Sequence, residues 1–169
     1  MREAIVEALS GLPHPATVFV VSLLPIFECR GGVLTGFVLD QAYHTMPWAV
    51  TFVASVVGNI VGVIPVLLLI EPVSRWAENY GAGRRLFGWL FARARRRKDL
   101  IEKYGVFGLT VFVSIPLPVT GAWTGSAMAL VFGIPFHKAL LAMALGVLVS
   151  ATICTLATYG GVGVLSALL

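Results

Sequence analysis

The chain has 169 residues, of which 58% are apolar and only 12% charged, with a formal net charge of +4. Soluble proteins average about 25% charged residues, and here residues 41–70, 104–137 and 139–169 carry no charge at all. Uncharged apolar stretches beyond about 18 residues read as membrane segments, which excludes an ordinary soluble domain and points to a single integral membrane domain over residues 1–169.

Nine of the twelve Lys and Arg residues lie between Arg75 and Lys103. A basic cluster set between membrane segments follows the positive-inside rule, so the linker 71–103 is expected in the cytoplasm and not on nucleic acid. Cys29 and Cys154 match no metal spacing and no disulfide framework, and no metal or cofactor is expected. Glu28 directly before Cys29, and no small-residue cleavage site after the first apolar run, predict that this run is retained.

Residues 1–10 pattern as a short amphipathic helix, and Pro13 and Pro15 then interrupt the chain. Residues 16–39 are apolar except around Pro25-Ile26-Phe27-Glu28-Cys29-Arg30-Gly31-Gly32. Residues 40–45 read as an interfacial turn. Residues 48–70 are long enough to span a bilayer, with Pro65 as a candidate kink.

In the linker, Trp76, Tyr80, Gly83, Phe87, Leu90 and Ala94 recur at spacings of three and four, the period of an amphipathic helix. Gly81-Ala82-Gly83 is expected to divide the linker into two helices. The second is expected to lie on the inner leaflet, with Arg93, Arg95, Arg96 and Arg97 at lipid headgroups.

Residues 104–137 are too long for one span, at about 50 Å as a straight helix, and too short for two. Pro116-Leu117-Pro118-Val119-Thr120-Gly121-Ala122-Trp123-Thr124-Gly125 lies in their middle. Two half-helices that enter and return on the same side fit the length. Residues 138–159 form the last span, and Gly160, Gly161 and Gly163 loosen the tail.

The two breaks share their spacing. Pro25 precedes Gly32 by seven residues, as Pro118 precedes Gly125; Pro47 precedes Gly58 by eleven, as Pro135 precedes Gly146. Val18–Ser22 also resembles Val111–Ser114. The fold expected is an all-α polytopic membrane protein, an inverted repeat of re-entrant helical hairpin plus transmembrane helix. Residues 1–70 form the first repeat, 71–103 the basic amphipathic linker and 104–169 the second repeat. Four ordinary spans are the competing topology.

Helix breaks and charges inside a membrane are tolerated where protein or a wet cavity surrounds them. A midplane site between the two hairpins is therefore expected. Glu28 is its candidate proton carrier and Arg30 its candidate headgroup or carboxylate ligand, with a structural Glu28–Arg30 pair as the alternative role. Gly31 and Gly32 are expected to permit the broken backbone that such a pair needs. Asn59, Thr120, Trp123 and Thr124 are candidate substrate contacts, with helix packing as the alternative. Pro25, Gly31, Gly32, Pro116, Pro118, Gly121 and Gly125 supply the hairpin-tip backbone. His44 and His137 read as interfacial. No nucleophile–base pair, nucleotide loop or metal motif appears, so no enzyme is expected.

Glu28–Gly32, Gly58-Asn59 and Ser114–Gly125 resemble the motifs of the small multidrug export protein family, a distant relative of the DedA superfamily. The resemblance runs from about Pro25 to Gly161. It implies the re-entrant inverted-repeat architecture and, from the wider superfamily, proton-dependent translocation of a lipid or lipid phosphate. The second hairpin has Thr120 and Trp123 where DedA proteins carry arginines around the proline motif, so no arginine carries over there.

The reading that results is a small transporter or lipid translocase, with Glu28 as its candidate for proton coupling, in a bacterial or archaeal inner or plasma membrane. Its partners are membrane lipids and a small-molecule or lipid substrate, and the small enclosed volume of two halves suits a homodimer. A lipid-associated scaffold without transport, or a drug or small-cation exporter, are the alternatives.

Overall fold

The computed structural model describes residues 12–77, 79–96, 98–116 and 121–161, with backbone alone at 98–102, 122 and 123. Among them are seven α-helices and no strand: α1 His14–Leu23, α2 Glu28–Tyr43, α3 Trp48–Ala77, α4 Gly81–Arg95, α5 Lys98–Ser114, α6 Ala122–Val131 and α7 Phe136–Thr155. A π-helical turn, Leu156–Gly160, follows α7. The N-terminal amphipathic pattern at 1–10 lies outside the described residues, as do Pro118, Thr120 and Arg97 and the side chain of Trp123.

The helix ends follow from local chemistry. A residue before proline is driven out of the helical region, and Leu24, which precedes Pro25, is extended at φ −72°, ψ 126°. α1 therefore stops at Leu23. Its carbonyl groups hand over to a tight turn in which the Phe27 and Glu28 amides donate to the Leu24 carbonyl at 3.1 and 2.8 Å. α2 ends on His44 in the left-handed region, φ 53°, ψ 35°, whose amide donates to the Asp40 carbonyl at 2.8 Å. α5 carries a break at Gly105, φ 55°, ψ −131°, a conformation open to glycine alone.

Two helices are long and apolar enough to cross a membrane: Trp48–Ala77, and Phe136–Gly160 counting the π turn. At 1.5 Å per residue α3 runs about 45 Å. α1 and α6 have ten residues each, about 15 Å. The residues of α5 beyond Gly105 form a third short apolar segment of similar length.

α3 does not stop near residue 70 as expected. It continues through Glu71 and Pro72 to Ala77, with Pro65 and Pro72 both inside the helix. Proline removes one amide donor per site, and a long helix with its remaining ladder intact carries both. The expected glycine divider is displaced as well. The chain turns at Asn79 and Tyr80, and Gly81 is already the first residue of α4. The turn expected at 40–45 is also later, because Asp40–Tyr43 still belong to α2.

The helices gather into two compact units: the described residues up to Asn59 together with those from Ala151, and Ile60–Ser150. In the first, α1 packs on α2. Glycines set the approach. A Cβ at Gly32 would overlap the Ser22 hydroxyl of α1 and crowd that of Ser55 in α3. One at Gly36 would overlap Thr51, and one at Gly58 would meet the Phe19 carbonyl. Small residues four apart let membrane helices come this close.

In the second unit, α6 packs on both α4 and α5. A Cβ at Gly125 would approach Met143 Cε and Val113, and one at Gly146 would press on Val113 and the Thr110 carbonyl. The apolar face of α4 expected at the lipid surface is thus covered by protein: Phe87, Leu90 and Ala94 are buried. Trp76 and Tyr80, placed on the same face by the periodicity, are exposed instead and lie against each other with ring centroids 4.8 Å apart. They precede α4, so its face does not extend to them.

Candidate functional site

The first break places a carboxylate where few would be stable. Glu28 opens α2 and is 6% exposed. Its φ of +52° puts a non-glycine residue in the left-handed region, a conformation that costs about 1–3 kcal/mol and persists only where the surroundings enforce it. The bend is enforced by the Pro25 turn and held by the Glu28 and Gly31 amides, which donate to the Leu24 and Phe27 carbonyls. The Arg30 guanidinium lies 3.8 Å from Glu28 Oε2, with both side chains largely buried. That distance is an ion pair at the edge of contact, not a direct hydrogen bond.

Gly31 and Gly32 take a different part from the one expected. Neither has a positive φ; Glu28 carries the backbone departure itself. The glycines serve close approach: a Cβ at Gly31 would meet Phe27, and Gly32 is the contact point with Ser22 and Ser55.

Asn59, 3% exposed, lies in the same unit as Glu28 and Arg30 and ends a buried polar stripe. Thr51, Ser55 and Asn59 recur every four residues on α3, and Thr51 and Ser55 are fully buried. Thr51 is 3.0 Å from the Tyr159 hydroxyl, which also donates to the Met46 carbonyl at 3.4 Å. Tyr159 sits on the π turn and meets Phe37 edge-on. Ser22 donates back to the Val18 carbonyl at 2.8 Å. The Ser55 hydroxyl is buried without a hydrogen-bond partner. Of these residues only Asn59 was singled out from sequence, although the Gly32/Gly36 and Thr51/Ser55/Asn59 spacings were there to find it.

The candidates of the second break belong to the second unit. Thr124 is 1% exposed on α6, and Gly121 caps that helix, its carbonyl accepting from the Gly125 amide at 2.9 Å. Pro116 lies two residues beyond the end of α5 at Ser114. Ser126 and Ser150 are buried with hydroxyls that lack partners.

The arginines of α4 do not act alike. Arg95 and Arg96 are exposed, as are Arg84 and Arg85. Arg93 is half-buried, its guanidinium 5.9 Å from the Trp89 ring and its Nε buried without a partner. His44 is an exposed helix cap and His137 an exposed residue of α7. Both cysteines are free thiols, Cys29 buried and Cys154 half-buried. Among the described residues no group of three His, Cys, Asp or Glu could hold a metal.

The seven helices among the described residues, two of them apolar and of membrane-spanning length, with short apolar helices that end at polar breaks, suit an all-helical membrane protein. Residues 28–153 match the family model described as "Putative small multi-drug export protein", and the chain belongs to that family. The family name suggests a small membrane export protein. No curated protein matches the chain. No solved structure matches it either.

Proposed function

We propose that the protein is a small proton-coupled transporter whose ionic centre is Glu28 with Arg30. The observation that carries this is the buried carboxylate at φ +52° beside an arginine, at the turn where α1 gives way to α2. Strained backbone combined with a buried ionisable group is where function concentrates. A carboxylate so placed takes up and releases a proton as its access to water changes. Arg30 offers a fork of donors to a phosphate or carboxylate on the substrate. A lipid or lipid phosphate is the substrate class that the DedA resemblance favours, and no catalysis is assigned.

The contacts within each unit support an internal repeat. Gly32 meets Ser22 of α1 and Ser55 of α3, while Gly125 meets Val113 of α5 and Met143 of α7. Gly58 meets Phe19 and Ser22, while Gly146 meets Thr110 and Val113. In both sets one residue of the first helix touches both glycines, and its partner lies three residues earlier. Ser22 then corresponds to Val113, one residue before the Ser114 that sequence similarity alone pairs with it. Each half has one helix of spanning length, and one crossing per half gives the halves opposite orientations in the membrane. In this reading the short helices are re-entrant limbs and the basic linker lies in the cytoplasm.

The test is translocation in proteoliposomes, followed with NBD-labelled phosphatidic acid and dithionite, under an imposed pH gradient. Glu28→Gln keeps the shape and removes the proton site, so gradient-dependent movement is expected to vanish while the protein stays folded. Unchanged translocation with unchanged gradient dependence in Glu28→Gln would defeat the proposal.

A further inference from the structure

α4 has two faces, and the fold uses only one of them. Phe87, Leu90 and Ala94 are buried, and the helix packs on α6. Along another side Ala82, Leu86, Trp89, Arg93 and Arg96 recur at spacings of four and three. Leu86 and Trp89 are each 52% exposed there. The Arg93 guanidinium stands 5.9 Å from the centre of the Trp89 ring. Arg84, Arg85, Arg95 and Arg96 are exposed around them. From Gly81 to Arg95 the helix holds no Asp or Glu, and among the described residues no carboxylate pairs with any of these arginines. The charge of α4 is thus presented outward without a counter-charge, beside an exposed tryptophan and leucine.

We propose that this outer face of α4 docks on the headgroup layer of an anionic phospholipid bilayer. The helix starts at the right depth. The uncharged run of α3 ends at Ile70, and Trp76 lies about 9 Å further along that helix, at the outer edge of an interfacial layer roughly 5–8 Å thick. Trp76 and Tyr80 are both exposed, with ring centroids 4.8 Å apart, and such side chains gather at the membrane–water boundary. Gly83 holds the first turn of α4 on the end of α3, since a Cβ there would lie 2.5 Å from the Ala77 carbonyl.

The residue types select the partner. Anionic headgroups supply the negative charge that α4 lacks, and each arginine near such a surface favours attachment about fivefold. A guanidinium grips a phosphate through paired N–H donors. Leu86 and Trp89 reach past the phosphates to the acyl boundary, where surface helices bury their apolar side chains. A soluble polyanion would neutralise the arginines but leave Leu86 and Trp89 in water. A neutral bilayer would take the apolar pair and leave the arginines without counter-charge. Because the buried face of α4 packs on α6, docking sets α4 between the headgroups and the helix that follows the second break. The inference needs α3 to span the membrane. It does not need Glu28 to carry a proton.

The experiment uses the full chain in nanodiscs, with Cys29→Ala and Cys154→Ala as background and an NBD fluorophore on Ala92→Cys, an exposed position of α4. Doxyl-labelled phosphatidylcholine in the disc quenches the fluorophore only where α4 lies on the lipid. Quenching is expected to be weak in phosphatidylcholine alone, to rise severalfold when phosphatidylglycerol is added, and to fall again in high salt. Arg85→Gln with Arg96→Gln should lower the docked-to-free ratio about fivefold per arginine. Arg85→Lys with Arg96→Lys should keep the response to phosphatidylglycerol, which a misfolded variant would not. Leu86→Ser with Trp89→Ser should lower quenching while leaving its salt dependence. Equal quenching with and without phosphatidylglycerol, no change in the glutamine pair, or loss of the response in the lysine pair would overturn the proposal. So would a DNA duplex that lifts α4 off phosphatidylglycerol discs, since the face would then prefer a soluble polyanion. No substrate or gradient enters this measurement. Translocation lost in Glu28→Gln together with no response to phosphatidylglycerol defeats this inference alone. A full response together with translocation unchanged in Glu28→Gln defeats the transporter reading alone.

Discussion

Gly32 gives the sharpest test of how the first unit is held. In an open helical position, Gly→Ala stabilises by up to about 1 kcal/mol, because glycine has more backbone freedom to lose. Gly88 on α4 is such a position, with nothing within 4 Å of the added carbon. At Gly32 the added carbon would overlap the Ser22 hydroxyl and lie 2.7 Å from that of Ser55. Ser22 cannot simply turn away, because its hydroxyl is held on the Val18 carbonyl and its residue is 1% exposed. Overpacking of this kind costs about 1–3 kcal/mol, which exceeds the propensity gain. Gly125 is the internal control: its nearest neighbour is the terminal methyl of Met143 at 2.9 Å, the end of a flexible side chain that can shift. The expected order of unfolding free energy, measured by circular dichroism in mixed micelles titrated with SDS, is therefore Gly88→Ala above wild type, Gly125→Ala near it and Gly32→Ala about 1–2 kcal/mol below it. Ser22→Ala should restore most of the loss in the Gly32→Ala background, with a coupling of about 1 kcal/mol or more. If Gly32→Ala is as stable as Gly88→Ala, or if Ser22→Ala restores nothing, the close contact is not what joins α1, α2 and α3.

Three further outcomes follow from single residues. His44 caps α2 in the left-handed region with an exposed side chain, so His44→Gly should stabilise by about 1 kcal/mol in the same micelle titration. Gly105→Ala has ample space but the wrong backbone, and should lower stability by about 1–3 kcal/mol. Tyr159→Phe removes the hydroxyl that links Thr51 and the Met46 carbonyl; a loss of about 1 kcal/mol is expected, together with faster amide exchange at the end of α7, read by mass spectrometry.

Much of this architecture was legible because membrane chains write it in length and charge. The spans at 48–70 and 138–159 were readable as long apolar runs, and the structure has helices there. The extension of α3 to Ala77 was not readable, because Glu71, Pro72 and Arg75 look like a loop when taken singly. Proline and charge do not end a helix whose remaining amides are paired. The periodicity of the linker predicted Phe87, Leu90 and Ala94 as one apolar face, but period alone does not say what covers it; here α6 does. Glu28 stood out as a charge in apolar sequence. Its left-handed backbone did not, since the neighbouring glycines drew the expectation to themselves.

The two glycine junctions have matching geometry and unlike chemistry. Where Gly32 meets the hydroxyls of Ser22 and Ser55, Gly125 meets the methyl groups of Val113 and Met143. Glu28 lies four residues before Gly32, one helical turn away, and Asn59 lies four residues after Ser55. Packing alone would tolerate valine and methionine at both junctions, because the second unit uses them. The hydroxyls of the first unit are therefore a departure from what the contact requires, and one of them, on Ser55, is buried without a partner. A buried polar group without a partner is retained at a cost, and this one borders the helix that begins with the buried carboxylate. The first half thus sets buried hydroxyls and a buried carboxylate near its glycine junction, where the second half sets methyl groups.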